Sequence, residues 1–355
     1  MLNAFLGALK KQGWRTLRLT TLLLCAYAVW RIINRLRRKR SGPMDPRVTL
    51  SLTGSGSRIA YHLGVIACLR DHVDLSNVRM SSISGGACML IVLALQHVEI
   101  SEMMLLGLRM MERMIKNNGT GTYFLKQEEV MDQILRDLRV MCHMEDEDIA
   151  RLSREHRAYV GVTTLTPYPQ HANICIPRDP REALLTMGAS MTIPPFFRSF
   201  GRVNGKVAID GCFTRLYSLP DDHNPARVIR ICPFPWPFSD IRPPLRDLPR
   251  TVFEGFVPLR LDWQIRIFSQ GYEDAERTLP MLLGAPWSLR PIPDARNRLK
   301  EHIARFNKLK KRLEHYDDDD HGLKSSSSCI KLRRGSAREH IRYHTWAEIP
   351  FANGG

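Results

Sequence analysis

Short apolar runs at Val48–Leu52, Val78–Ile83, Tyr159–Val162, Ala172–Ile176, Val207–Ile209 and Val228–Cys232 are bounded by polar or turn residues and predict β-strands. Helical patterns separate several of them, at Arg58–Asp71, Gly86–Gln96, Ser101–Ile115 and Arg181–Met187. Strand–helix alternation of this kind predicts a layered α/β fold with a largely parallel central sheet. The methionines at 103, 104, 110, 111 and 114 could form a pliable lipid-contacting surface, but filling gaps in the core is the expectation.

The pattern changes at both ends. Leu19–Trp30 is an apolar run followed by the dense basic cluster Arg35–Arg40, and residues 1–44 hold ten Lys or Arg and no acid. Twelve helical residues reach only about 18 Å against a hydrocarbon core of about 30 Å, so a span needs Leu17–Ile33 with Arg18 and Arg31 snorkelling. Residues 1–40 are expected to be a basic, apolar membrane anchor, with the heavier C-terminal flank leaving the following domain in the cytosol. A mitochondrial presequence is the minority alternative. Ser41–Pro46 reads as a linker, 47–283 as the main domain, and 284–316 as a proline-punctuated loop with a basic amphipathic helix over Arg296–Tyr316. That helix either lies in a membrane interface or packs back on the domain, and both readings stay open. Residues 317–355, with their Asp and Ser runs, are expected to be disordered.

The net charge of +16 first suggests nucleic acid, yet no nucleic-acid motif accompanies it and none is expected as partner. Eight scattered cysteines without a C-x-x-C pair argue against a zinc site or a disulfide framework, and no cofactor motif appears.

Three segments carry candidate chemistry. In Ser82-Ile-Ser-Gly-Gly86 the strand from Val78 turns into a helix, the layout in which a serine is exposed on a sharp turn. Gly85 and Gly86 let the helix pack behind Ser84, and the helix start offers unpaired N–H groups. Upstream, Gly54-Ser-Gly56 lies between a strand and a helix, where backbone donors face an anion. Downstream, Asp210-Gly211 ends a strand, so that a carboxylate could approach a serine hydroxyl.

Together, and in this order, these segments resemble the patatin-like phospholipases. Gly188-Ala-Ser-Met-Thr-Ile-Pro-Pro195 is similar to a further family segment. Tyr61–His72, Ser269–Ala275, Arg230–Phe234 and Asp240–Pro243 are similar to stretches of the adipose triglyceride lipase and adiponutrin subgroup. The resemblance spans roughly Arg47 to Leu283. It implies a patatin-like layered fold and cleavage of glycerolipid carboxylic esters through an acyl-serine, without metal or cofactor, at a membrane or lipid-droplet surface. It also implies Ser84 as nucleophile, Asp210 as base, and Gly54, Ser55 and Gly56 as oxyanion donors. A triad through His223 is the rival arrangement. Acyl transfer, or a scaffold without turnover, are the alternative functions. Ser82, Ile59 and Cys212 replace glycines of the family pattern, and each could disturb the site.

Overall fold

The computed structural model describes residues 44–107, 145–194, 200–256, 261–282 and 295–319. The expected anchor at 1–40, the first half of the 41–46 linker, the methionines at 110, 111 and 114, and the tail beyond Asp319 lie outside them. Among the described residues no helix is long and apolar enough to cross a membrane.

The sheet has seven strands: β1 (Thr49–Leu52), β2 (Arg79–Ile83), β3 (Ala158–Thr164), β4 (Gln170–Cys175), β5 (Gly201–Val203), β6 (Lys206–Asp210) and β7 (Val228–Ile231). Its centre, β7-β1-β2-β3, is parallel. The antiparallel strand β4 lies along the other edge of β3, and β6, which carries β5, pairs antiparallel with β3. All residues of β1, β2 and β3 are buried. Burial of every residue fits strands of a parallel sheet covered on both faces, although Thr49, Ser51, Arg79, Ser81, Ser82 and Thr163 are polar. The short edge strand β5 has no such signature, and its three residues escape pattern reading.

Two helices follow the parallel strands directly, α1 (Ile59–His72) after β1 and α2 (Gly85–Ala94) after β2. Both are buried around most of their circumference, which removes the one-sided stripe of a surface helix. Met103 and Met104, in the helical stretch at 100–107, are buried in the core as expected. Further on come α3 (Asp146–Arg154), α4 (Pro180–Ser190), α5 (Leu248–Phe256), α6 (Leu261–Leu282) and α7 (Ala295–Asp319). Helix α6 lies against α1 at glycine contacts: a Cβ on Gly64 would meet backbone of Phe268 and Tyr272, and one on Gly271 would meet backbone of Tyr61. Tyr61 and Tyr272 then donate hydroxyl hydrogen bonds to Asp274 and Asp71, each at 2.9 Å.

The compact unit holding the sheet runs to Lys310. Within it, the first part of α7 packs on the domain rather than presenting its apolar side to solvent. Phe306 is buried, Leu299 packs against the core, and His302 pairs with Asp71 at 3.2 Å. Of the two readings of the basic helix, packing back is therefore the arrangement seen up to Lys310.

Candidate active site

Register explains why two residues 126 positions apart in sequence meet. Along one edge of β3, the parallel strand β2 pairs as far as Ile83↔Gly161, and the antiparallel strand β6 takes over from Asp210↔Val162. The C-terminal ends of β2 and β6 thus converge head to head, one residue step (about 3.3 Å) apart along β3. Ser84 follows Ile83, and Asp210 ends β6.

Ser84 adopts φ 56°, ψ −133° at the N-cap of α2. A positive φ is costly for a residue with a Cβ, on the order of 1–3 kcal/mol, and persists only where the surroundings enforce it. The enforcement is visible. The Ser84 N–H donates to Ser190 Oγ (2.9 Å), and that hydroxyl donates to the Gly161 carbonyl (2.7 Å). On the other side, Gly86 meets β1 so closely that a Cβ would lie 2.6 Å from the Thr53 carbonyl oxygen, and a Cβ on Gly85 would collide with Ser55 Oγ. Ser84 itself is 8% exposed.

The Asp210 carboxyl is buried, and the loss of water raises its pKa from 3.8 to about 6. The Ser84 hydroxyl, then the N–H and thiol of Cys212, act in the opposite direction. Oδ1 accepts the Cys212 N–H at 2.8 Å, whereas Oδ2 has no hydrogen-bond partner among the described residues. The backbone is fixed from the same segment that supports Ser84, because the Asp210 N–H donates to the Thr192 carbonyl (2.8 Å). Gly211 is required by closeness: a Cβ there would stand 2.5 Å from the Gly161 carbonyl oxygen and 2.9 Å from Ile83. Among the described residues, no histidine is one of the groups acting on Asp210. His223, the rival triad member, forms a bridge with Asp45. Asp45 pairs with Arg79 at the start of β2, the opposite end of that strand from Ser84.

The glycine loop closes over the serine. A Cβ on Gly54 would lie 2.8 Å from Cys212 Sγ, 3.1 Å from Ser84 Cβ and 3.5 Å from Ser84 Oγ. Ser55 is buried, and Gly56 takes φ +50° against the Gly255 backbone. Arg58, fully buried, anchors the loop. It donates to the Pro233 carbonyl (2.9 Å) and Gln270 Oε1 (3.0 Å), and it forms an ion pair with Glu254 of α5, also buried. Glu254 receives Arg250 (2.7 Å) and Arg266 (3.1 Å) as well.

The three departures from the family pattern have different consequences. Ser82 is an ordinary residue of β2, paired with Leu52 and Val160, so no glycine conformation is needed there; its buried Oγ lacks a partner among the described residues. Ile59 opens α1 and packs against the core. Cys212 touches the site directly. The residue as a whole is exposed, but its sulfur lies against Gly54. Loss of water around the sulfur, followed by the Asp210 carboxylate, raises the thiol well above its ordinary range.

Sequence reading thus places Ser84, Asp210, Gly54, Ser55, Gly56, Gly85, Gly86 and Gly211 in one neighbourhood, and the structure brings them together. It misses Glu254, which has no local signal and lies 196 positions from Arg58. Ser190 and Thr192 stand in the quoted Gly188–Pro195 segment, but their roles emerge only from the hydrogen bonds.

No protein-family model and no curated protein matches the sequence. Among solved structures, the chain is similar to VipD from Legionella pneumophila, with a TM-score of 0.39 and 13% identity over 67% of each chain. It is also similar to the heterodimeric ExoU–SpcU complex from the type III secretion system of Pseudomonas aeruginosa, with a TM-score of 0.39 and 13% identity. That match covers 79% of this chain and 62% of the other, so the chain spans less than two thirds of that relative's length.

Proposed function

We propose that the protein is a patatin-like lipid acyl hydrolase that cleaves glycerolipid carboxylic esters with a Ser84–Asp210 dyad. The observation that carries this reading is the strained Ser84, held at φ 56° at a helix start with its hydroxyl beside a buried carboxylate and under the Gly54 loop. A serine held at a conformational cost, next to a base whose pKa of about 6 allows ionisation at neutral pH, fits nucleophilic catalysis.

In the acylation step, Asp210 takes the Ser84 proton as Oγ bonds to the ester carbonyl carbon. The resulting oxyanion lies among N–H donors from the Gly54–Gly56 loop and the first turn of α2. Collapse breaks the bond to the leaving alkoxide, which receives the proton from Asp210. Water then attacks the acyl-serine, giving its proton to Asp210. The second collapse releases the fatty acid and returns that proton to Ser84. Capture of the same acyl-serine by a lipid alcohol would instead be acyl transfer. Substrate reaches the site at a membrane or lipid-droplet surface, with 1–40 as the anchor and the domain in the cytosol; the apolar run and basic flank of that segment support this placement.

One observation favours the scaffold reading: Cys212 Sγ lies against Gly54, in the loop that would receive the oxyanion. The test is fatty-acid release from phospholipid and triacylglycerol vesicles by wild type, Ser84→Ala and Asp210→Asn. Loss of release in both variants supports the dyad, and equal release in all three removes it. Absence of release from folded wild type with every ester tried selects the scaffold.

A further inference from the structure

The Gly54 loop is clasped between two elements that both end in exposed apolar side chains. On one side, the segment after β7 gives the Pro233 carbonyl to Arg58 and sets the Phe234 ring where a Cβ on Gly255 would meet it. Two residues further on, Trp236 and Phe238 project, 46% and 72% exposed, with ring centroids 6.3 Å apart in an edge-to-face pair. On the other side, α5 turns Thr251, Glu254 and Gly255 inward and leaves Leu248 and Val252 exposed, and Leu245 is exposed in the 3-10 turn just before it. A spacing of four puts Leu248 and Val252 on one face of the helix. Exposed large apolar side chains on both elements that hold the Gly54 loop mark an interaction site.

The charges on the same elements indicate the partner. Arg58, Arg250 and Arg266 converge on the single carboxylate of Glu254, and Arg246 extends almost fully into solvent, 4.0 Å from Asp247. Four guanidinium groups face two carboxylates, leaving a net positive charge. Arg266 also stacks over Trp263 at 4.5 Å, placing a further exposed indole beside the cluster. Indole rings with arginines suit the headgroup level of a bilayer, and Phe and Leu side chains suit the acyl boundary below it.

We propose that the Trp236–Val252 face seats the domain on an anionic lipid surface and so delivers that surface to the Gly54 loop. The delivery half rests on the hydrolase reading, whereas the seating does not. Because Arg58 joins the loop to Glu254 of α5, the distance between the lipid-facing stripe and the oxyanion donors is fixed by a buried ion pair rather than by a flexible connection.

The experiment uses the full chain with vesicles of phosphatidylcholine, alone or with phosphatidylserine, carrying bromine on the acyl chains to quench inserted indoles. Quenching should be greater for wild type than for Trp236→Phe, and equally so in a Ser84→Ala background. Arg246→Glu should weaken binding to phosphatidylserine vesicles several-fold while leaving binding to neutral vesicles unchanged. The pair Trp236→Ser with Phe238→Ser should lower turnover of vesicle substrate at least ten-fold and leave turnover of a soluble short-chain ester unchanged. Absence of Trp236 quenching overturns the seating, whether the face is covered instead by a second copy, seen as a dimer in sedimentation, or by another protein. Quenching with unaltered vesicle turnover in the double variant overturns delivery. Failure of wild type on every ester, with quenching intact, sinks the hydrolase reading and leaves the seating standing.

Discussion

Replacing Asp210 with Asn should destroy turnover and stabilise the fold. The wild-type carboxyl has a pKa of about 6 in the folded protein, against 3.8 as its ordinary value. A raised folded pKa means that folding favours the neutral form, so the ionised carboxylate is a penalty on the native state. That penalty is absent below pH 4, grows between about pH 4 and pH 6, and is complete above pH 6. A rise from 3.8 to about 6 corresponds to about 3 kcal/mol at neutral pH. The amide of Asn is neutral at every pH but still buries polar atoms, so the net gain should be about 1–3 kcal/mol. Urea unfolding of both proteins from pH 4 to pH 8 measures it. The two curves should nearly coincide at the acid end and separate as pH rises, in favour of Asp210→Asn. Turnover by wild type should rise through pH 6 as the base ionises. A variant that is less stable than wild type at pH 8, or a stability difference independent of pH, would refute the assignment of Asp210 as a strained, water-deprived base.

Other perturbations separate the parts of the site. Gly54→Ala sets a methyl 2.8 Å from Cys212 Sγ and 3.1 Å from Ser84 Cβ, so ester turnover should fall about 10²–10³-fold, the scale of a lost oxyanion donor, with circular dichroism unchanged. Cys212→Gly removes the sulfur that crowds Gly54, and steady-state kinetics should show higher kcat rather than lower KM. Arg58→Met takes the one buried arginine from Glu254, which keeps the half-exposed Arg250 and Arg266, and should cost about 1–3 kcal/mol in chemical unfolding. Adding Glu254→Met should restore most of that stability without restoring kcat, because the loop has lost its fixed link to α5.

Short runs rich in apolar residues mark the central strands even though Thr49, Ser51, Arg79, Ser81 and Ser82 are buried among them. What the runs cannot state is the meeting of β2 and β6 on one edge of β3, since that depends on a change from parallel to antiparallel pairing between Gly161 and Val162. Ser84, Asp210 and the Gly54 loop were legible through short motifs whose residue types are dictated by closeness and by a strained φ. Their supports were less so. Ser190 and Thr192 act through one hydroxyl and one carbonyl, features common to any helix end, and Glu254 meets Arg58 only after the whole chain has folded. The concern over Ser82 proves local to sequence pattern, for the residue lies in a regular strand and the unusual φ falls on Ser84 alone in that turn. Cys212 is the departure that bears on chemistry, because its sulfur rests on Gly54.

The most direct measurement of the central claim is mass spectrometry of the full-length protein after reaction with a long-chain fluorophosphonate, which phosphonylates an activated serine hydroxyl with loss of fluoride. A single adduct is expected on the peptide carrying Ser84, absent in Ser84→Ala, and forming much more slowly in Asp210→Asn. Its rate should increase through about pH 6 as Asp210 ionises. Folded protein that remains unlabelled, or an adduct on another serine that persists in Ser84→Ala, would contradict it.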